Sequence, residues 1–136
     1  MAFDVFLSFN GDCRAALEFY ARVFKQKMPE QIMTYGQNPG GSADADKERI
    51  LYACMPIHGC NVMFSDCPSD FRSVRGNNIM LTVGLEDDGE IKETFDKLAE
   101  GGEIGMKLGK TFFSELFGMV TDKFGIIWQI SKTAAS

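Results

Sequence analysis

Chemistry has few places to start in this sequence: one histidine, His58, and four cysteines, Cys13, Cys54, Cys60 and Cys67. No two cysteines form a C-x-x-C pair, so neither a zinc knuckle nor a dithiol redox centre is spelled out. They read as reduced thiols behaving as small hydrophobes. His58 stands with Gly59 between two apolar runs, five residues before Met63, which is roughly 16 Å along an extended strand. It reads as a solvated turn residue rather than a metal ligand. Acid–base chemistry without a metal needs a carboxylate, imidazole, phenol, amine or thiol in an enclosed site. Strand parity makes Tyr52 and Cys54 the best inward candidates, joined by Ser65 and Thr82. No base of tunable pKa stands beside them. They are expected to line a cavity, and no catalytic residue is assigned.

The elements that would position these side chains follow from the apolar pattern. Asp4 to Phe9 suits a strand, and Asn10-Gly11-Asp12 supplies a turn and a helix N-cap. Helical spacing of Ala16, Leu17, Phe19, Tyr20, Val23 and Phe24 predicts a helix over 13–24. Residues 28–35 read as a further strand, and 36–48 (GQNPGGSADADKE) as a Gly-, Asp- and Ser-rich loop. Ile50 to Ile57 and Cys60 to Ser65 form a hairpin through His58-Gly59. In that register Cys54 faces Met63 and Tyr52 faces Ser65, which argues against a disulfide between Cys54 and Cys60. Residues 66–77 are a polar connection.

The order then repeats. Asn78 to Val83 reads as a strand, and Asp87-Asp88-Gly89-Glu90 as a capped helix start. Ile91, Phe95, Leu98 and Ala99 make a helical stripe that Gly101-Gly102 ends. Strands follow near 103–108, 117–121 and 126–131, with Asp122 to Gly125 as a tight turn. The fold class expected is α+β: two βαβββ modules, at about 1–66 and 78–132, joined by a linker over 67–77. Trp128 has the opposite parity from Gln129 and should pack between sheet and helix, against Phe19 or Phe95.

Composition narrows the function classes. At 136 residues the chain can bury a real core, and its 45% apolar and 24% charged content is ordinary for a globular protein. The net charge is −5, with 14 Lys and Arg spread thinly, so no basic stripe exists for nucleic acid. No apolar run is long enough for a bilayer span. The opening Met1-Ala2-Phe3-Asp4 lacks a basic n-region, so a cytoplasmic location is expected.

Four fragments in order carry a family likeness. They are FNGDCRAALEFYARVF, NVMFSD, LAEGGEIGMKL and MVTDKFGIIWQI, the last resembling a V-x-D-x-F-G-x-x-W motif. Together they resemble the PhnB-like branch of the vicinal-oxygen-chelate superfamily, which includes glyoxalase, bleomycin-resistance and dihydroxybiphenyl-dioxygenase proteins. One departure is Tyr52-Ala53, where many relatives place His-Ala. The resemblance implies a glyoxalase-like cleft built by two modules, commonly in a homodimer. In metal-using relatives four inward positions hold the ion, and here they carry Val5, Met63, Asn78 and Gln129. A valine, a thioether and two neutral amides make a poor set for a catalytic divalent cation. Neither a metal nor a cofactor is therefore expected.

A ubiquinone-methyltransferase label is attached to some PhnB-like sequences, but no strand here runs into a G-x-G-type loop. The expected ligand pocket comprises Val5, Leu7, Phe9, Tyr52, Cys54, Met63, Ser65, Asn78, Met80 and Gln129. Its Met- and Phe-rich lining, with Phe112, Phe113 and Phe117 expected near the same cleft, suits a small apolar or aromatic molecule. The function expected is metal-independent small-molecule binding of the glyoxalase/bleomycin-resistance type. The alternative is a metal-dependent lyase, isomerase or dioxygenase of the same superfamily.

Overall fold

The structure, a computed structural model, describes residues 2–134. It contains two four-stranded sheets, each built by a strand, a helix and three further strands. The first set is β1 (Val5–Phe9), α1 (Cys13–Val23), β2 (Met33–Thr34), β3 (Ile50–Ile57) and β4 (Cys60–Asp66). The second is β5 (Leu81–Leu85), α2 (Asp88–Ala99), β6 (Glu103–Gly109), β7 (Phe117–Thr121) and β8 (Ile127–Lys132). Sheet orders are β1-β4-β3-β2 and β5-β8-β7-β6, and in each the first strand pairs in parallel with the last. The chain divides into two compact units between Val74 and Arg75. No helix among the described residues is long and apolar enough to cross a membrane.

The repeat extends to the burial of single residues. β1 and β5 share one order, half-buried, exposed, buried, exposed, buried. Val5 pairs with Val62 and Phe6 with Met63, while Leu81 pairs with Trp128 and Thr82 with Gln129. Partners in register point to the same face. Each sheet therefore has a helix-covered face and an open face.

On the covered face of the first sheet, Phe9, Phe64 and Tyr20 form a ring cluster with centroids 5.9–6.0 Å apart. In the second, α2 buries Ile91, Thr94, Phe95 and Leu98, the i, i+3, i+4, i+7 stripe of an amphipathic helix. Trp128 is buried there and donates from Nε1 to Asp122 Oδ2 at 2.8 Å.

Turn chemistry explains the register. His58 and Gly59 both have positive φ, 48° and 80°, as a two-residue type I′ hairpin turn demands, and Cys54 pairs with Met63 as expected. The β7–β8 turn is larger. Asp122 closes it by accepting from the backbone N–H groups of Phe124 (2.9 Å) and Ile126 (3.1 Å). Gly102 follows α2 where a Cβ would stand 2.2 Å from the Thr121 carbonyl oxygen, so no larger residue fits without moving the backbone.

Several expectations are corrected. The strand expected over 28–35 is only Met33–Thr34, and two 3-10 turns, Tyr35–Gln37 and Asp44–Asp46, lie in the following loop. The strand expected from Asn78 begins at Leu81. Its parallel partner β8 starts only at Ile127, after the Asp122 turn, so Asn78 and Ile79 have no strand beside them. Asp12 is the N-cap residue of α1 but makes no side-chain cap bond; its Oδ1 accepts from Asn10 N instead.

Candidate functional site

The open face of the first sheet brings Phe6, Ser8, Cys54, Met63 and Ser65 into register across β1, β4 and β3. Tyr52 pairs with Met33 of β2 at the far side. Phe6, Tyr52 and Met33 are 54%, 44% and 44% exposed, far above what large apolar side chains show in a finished core. In the second sheet, Met106, Met119, Gln129 and Thr82 form one row across β6, β7, β8 and β5. Thr82 Oγ1 donates to Gln129 Oε1 at 3.0 Å, and Gln129 Nε2 lies 3.3 Å from the Met80 sulfur.

The ten residues expected to line one pocket do not share one kind of surface. Tyr52, Cys54 and Met63 lie on the open face of the first sheet, Ser65 shares their parity but is itself buried, and Met80 meets Gln129 on the second. Leu7 and Phe9 are 8% and 4% exposed and share the helix-covered side with Val5, because they register with Phe64, Asp66 and Val62. The parity assigned to the first strand is thus reversed, and Phe6 and Ser8 take the open positions. Asn78 is exposed and precedes β5, so the counterpart of Phe6 in the second unit is Thr82. Met119 and Met106 were missed. Their signal, a methionine on the parity of Gln129 in the paired strand, needed the β7–β8 register.

The chemistry of these faces is soft and neutral. Ser65 Oγ donates to the Asp66 carbonyl at 3.0 Å, so its hydroxyl proton is committed to the backbone. Cys54 is half-buried beside a thioether, and no carboxylate or imidazole stands in its row. At the repeat-related positions Met63 and Gln129 the donors are a thioether and an amide. Their β1 and β5 neighbours, Phe6 and Thr82, add only a phenyl ring and a hydroxyl. This set does not fit a catalytic divalent ion. Among the described residues, no group of three or more His, Cys, Asp and Glu side chains could hold one.

A different polar constellation organises the first unit. Asp66, 2% exposed, accepts from Gly11 N (2.7 Å) and Cys13 N (3.0 Å) through Oδ1, and from Ile50 N (2.9 Å) through Oδ2. Its carboxylate occupies the N-terminal end of α1, where backbone donors and the helix dipole favour negative charge. Arg49 Nη1 ties the same corner together through Asn10 Oδ1 (2.9 Å) and the Cys67 carbonyl (2.8 Å). Its Nε lies 3.5 Å from Asp46 Oδ1, an ion pair without hydrogen-bond geometry. Burial, then the charges of Asp66 and Asp12, pushes the Cys13 thiol far up, so it is not a thiolate at neutral pH.

Known proteins share this architecture. Residues 2–131 match the family model described as 3-demethylubiquinone-9 3-methyltransferase. The chain is 32% identical to Protein YjdN of Escherichia coli K12, over 96% of this chain and 95% of that one. The crystal structure of PA1353 from Pseudomonas aeruginosa superposes with a TM-score of 0.88 at 30% identity, covering 97% of each chain. A Bacillus cereus structure, titled a putative 3-demethylubiquinone-9 3-methyltransferase, PhnB protein, gives 0.78 at 30% identity over 98% of this chain and 100% of that one. With its paired βαβββ modules, the chain belongs to this family and is a PhnB-like member of the vicinal-oxygen-chelate superfamily.

Proposed function

We propose that the chain is a metal-independent small-molecule-binding protein of the glyoxalase/bleomycin-resistance type, which takes an apolar or aromatic molecule on its open sheet faces. The observation that carries this reading is the donor set at the repeat-related positions. Met63 and Gln129, with Phe6 and Thr82 beside them, suit dispersion and neutral hydrogen bonding rather than metal ligation. Exposed Phe6, Tyr52, Met80 and Met106 supply flat and adaptable surface for such a ligand. So much uncovered apolar side chain also favours a homodimer, since exposed apolar surface marks interaction sites.

Methyl transfer, the activity in the family's description, draws no support from the residues. A nucleoside cofactor is commonly received where a strand runs through a Gly-rich turn into a helix. Here that turn is Asn10-Gly11-Asp12, and the amides of Gly11 and Cys13 are already committed to Asp66.

Two measurements test the reading together. Protein purified without tag or chelator should carry far less than one metal ion per chain, and its melting temperature should not fall with EDTA. A thermal-shift screen of apolar and aromatic compounds should return ligands whose stabilisation follows mass action, about 2.7 kcal/mol at a hundredfold excess over Kd. Met63→Lys should abolish that shift. Stoichiometric Ni, Zn, Fe or Mn, lost on Gln129→Ala, would replace this reading with the metal-dependent lyase, isomerase or dioxygenase.

A further inference from the structure

The connection between β6 and β7 is a hydrogen-bonded loop that displays aromatic rings to solvent. Thr111 N donates to the Ser114 carbonyl (2.9 Å), and Ser114 N returns to Thr111 Oγ1 (3.0 Å). Ser114 is buried and anchors the loop to β8. Its Oγ lies 3.1 Å from the Lys132 carbonyl and 3.3 Å from Ser131 Oγ. Lys132 N donates to the Leu116 carbonyl at 2.8 Å. From this base Phe112 projects fully exposed and Phe113 is 59% exposed.

The rings are not independent. Phe113 stands edge-to-face with both Phe112 (centroids 5.2 Å) and Phe117 (5.0 Å). A hydrogen-bonded loop that holds two phenyl rings out of the core has already met the ordering cost of a recognition surface. Beside it opens a pocket of about 460 Å³ lined by Lys110, Phe112, Phe113, Ser114, Glu115 and Lys132 among others. That volume lies in the range of small-ligand sites, about 300–1,000 Å³.

The charges select the ligand class. Lys132 is engaged: its Nζ lies 2.7 Å from Asp88 Oδ1, and Glu115 adds a second negative charge near it. Lys110 has no ion pair or hydrogen bond among the described residues, which leaves its ammonium available at the pocket wall. We propose that this pocket binds a flat aromatic molecule carrying one anionic group, with the ring against Phe112 and Phe113 and the anion at Lys110. This site is built within the second unit alone and stands independently of the open-face reading.

Amide NMR of the full chain, titrated with 2-naphthoate and with uncharged 2-naphthamide, tests it. Naphthoate should give saturable shifts confined to residues 110–117 and 131–134, with naphthamide at least fivefold weaker. Lys110→Gln should weaken naphthoate at least fivefold and leave naphthamide unchanged, whereas Phe112→Ala should weaken both. Both positions are exposed, and matching thermal melts would verify that the variants fold. Three outcomes overturn the proposal. The first is a set of shifts that falls on Met63, Cys54, Met119 and Gln129 instead, and the second is no saturation at millimolar ligand. The third is a Phe112→Ala variant that changes only the sedimentation of the protein and not naphthoate affinity, which would make the loop tip a protein–protein contact. A ligand lost from the open faces alone leaves the loop assignment standing.

Discussion

The two units place opposite charges at one position of the repeat. Asp66 ends β4 beside Phe9, and Lys132 ends β8 beside Leu85. The residue after each makes the same bond, Cys67 N to the Phe9 carbonyl (2.7 Å) and Thr133 N to the Leu85 carbonyl (2.8 Å). Asp66 reaches the bare N-terminus of α1 and satisfies its amides directly. In the second unit Asp87 caps α2 through Glu90 N (2.8 Å), and Lys132 then pairs with Asp88 in the first helical turn. The second unit keeps its own buried carboxylate, Asp122, at the other end of the sheet, again with three N–H donors. The backbone bond at this position is thus kept while the polar keystone moves. A buried carboxylate that gathers donors is costly to remove, whereas an exposed ion pair is nearly dispensable.

That contrast can be broken in order of expected effect. Trp128→Ala should cost about 3–5 kcal/mol in urea unfolding, because it opens a cavity and strips Asp122 of its indole donor. Asp66→Ala should cost about 2–4 kcal/mol by orphaning amides at Gly11, Cys13 and Ile50. If Asp66→Ala left the urea midpoint in place, the keystone role would be wrong. Lys132→Ala should barely move that midpoint. Its pH signature has a definite sign. The hydrogen bond to Lys132, then its charge, lowers the Asp88 carboxyl, so the pair's contribution is complete above the ordinary aspartate pKa and fades as pH falls through the lowered one. Asp88 in turn raises Lys132, so at the alkaline end the contribution is lost as pH rises through the raised lysine value. A flat difference between wild type and Lys132→Ala from acid to alkaline pH would remove the pair from the comparison.

Local chemistry was legible and long-range chemistry was not. The His58-Gly59 hairpin, the Asp87 cap and the α2 stripe each rest on residues within a few positions of one another, and the structure reproduces them. The face of β1 could not be read from VFLSF, because apolar side chains stand on both parities and only the pairing with β4 separates them. The α1 cap was hidden for a related reason: its acceptor is Asp66, 53 residues beyond the Cys13 amide it holds. Asn78-Ile79-Met80 looked like strand from composition, but a strand is defined by its neighbour, and none begins until β8 does. Turn spacing announces the Cys54–Met63 pairing of the hairpin, while the Met119–Met106 row depends on pairings that no spacing announces.

The pairing of β6 with β7 shifts register twice, between Ile104 and Met106 and again between Met106 and Gly109. β6 is the outermost strand of its sheet, and Ile104 and Met106 are half uncovered on it. An uninterrupted margin carrying such side chains would invite strands of other molecules to zip on and grow into fibrils. The doubly shifted register breaks the regular ladder that strand addition copies, which sets this margin among the interrupted edges that disfavour such growth.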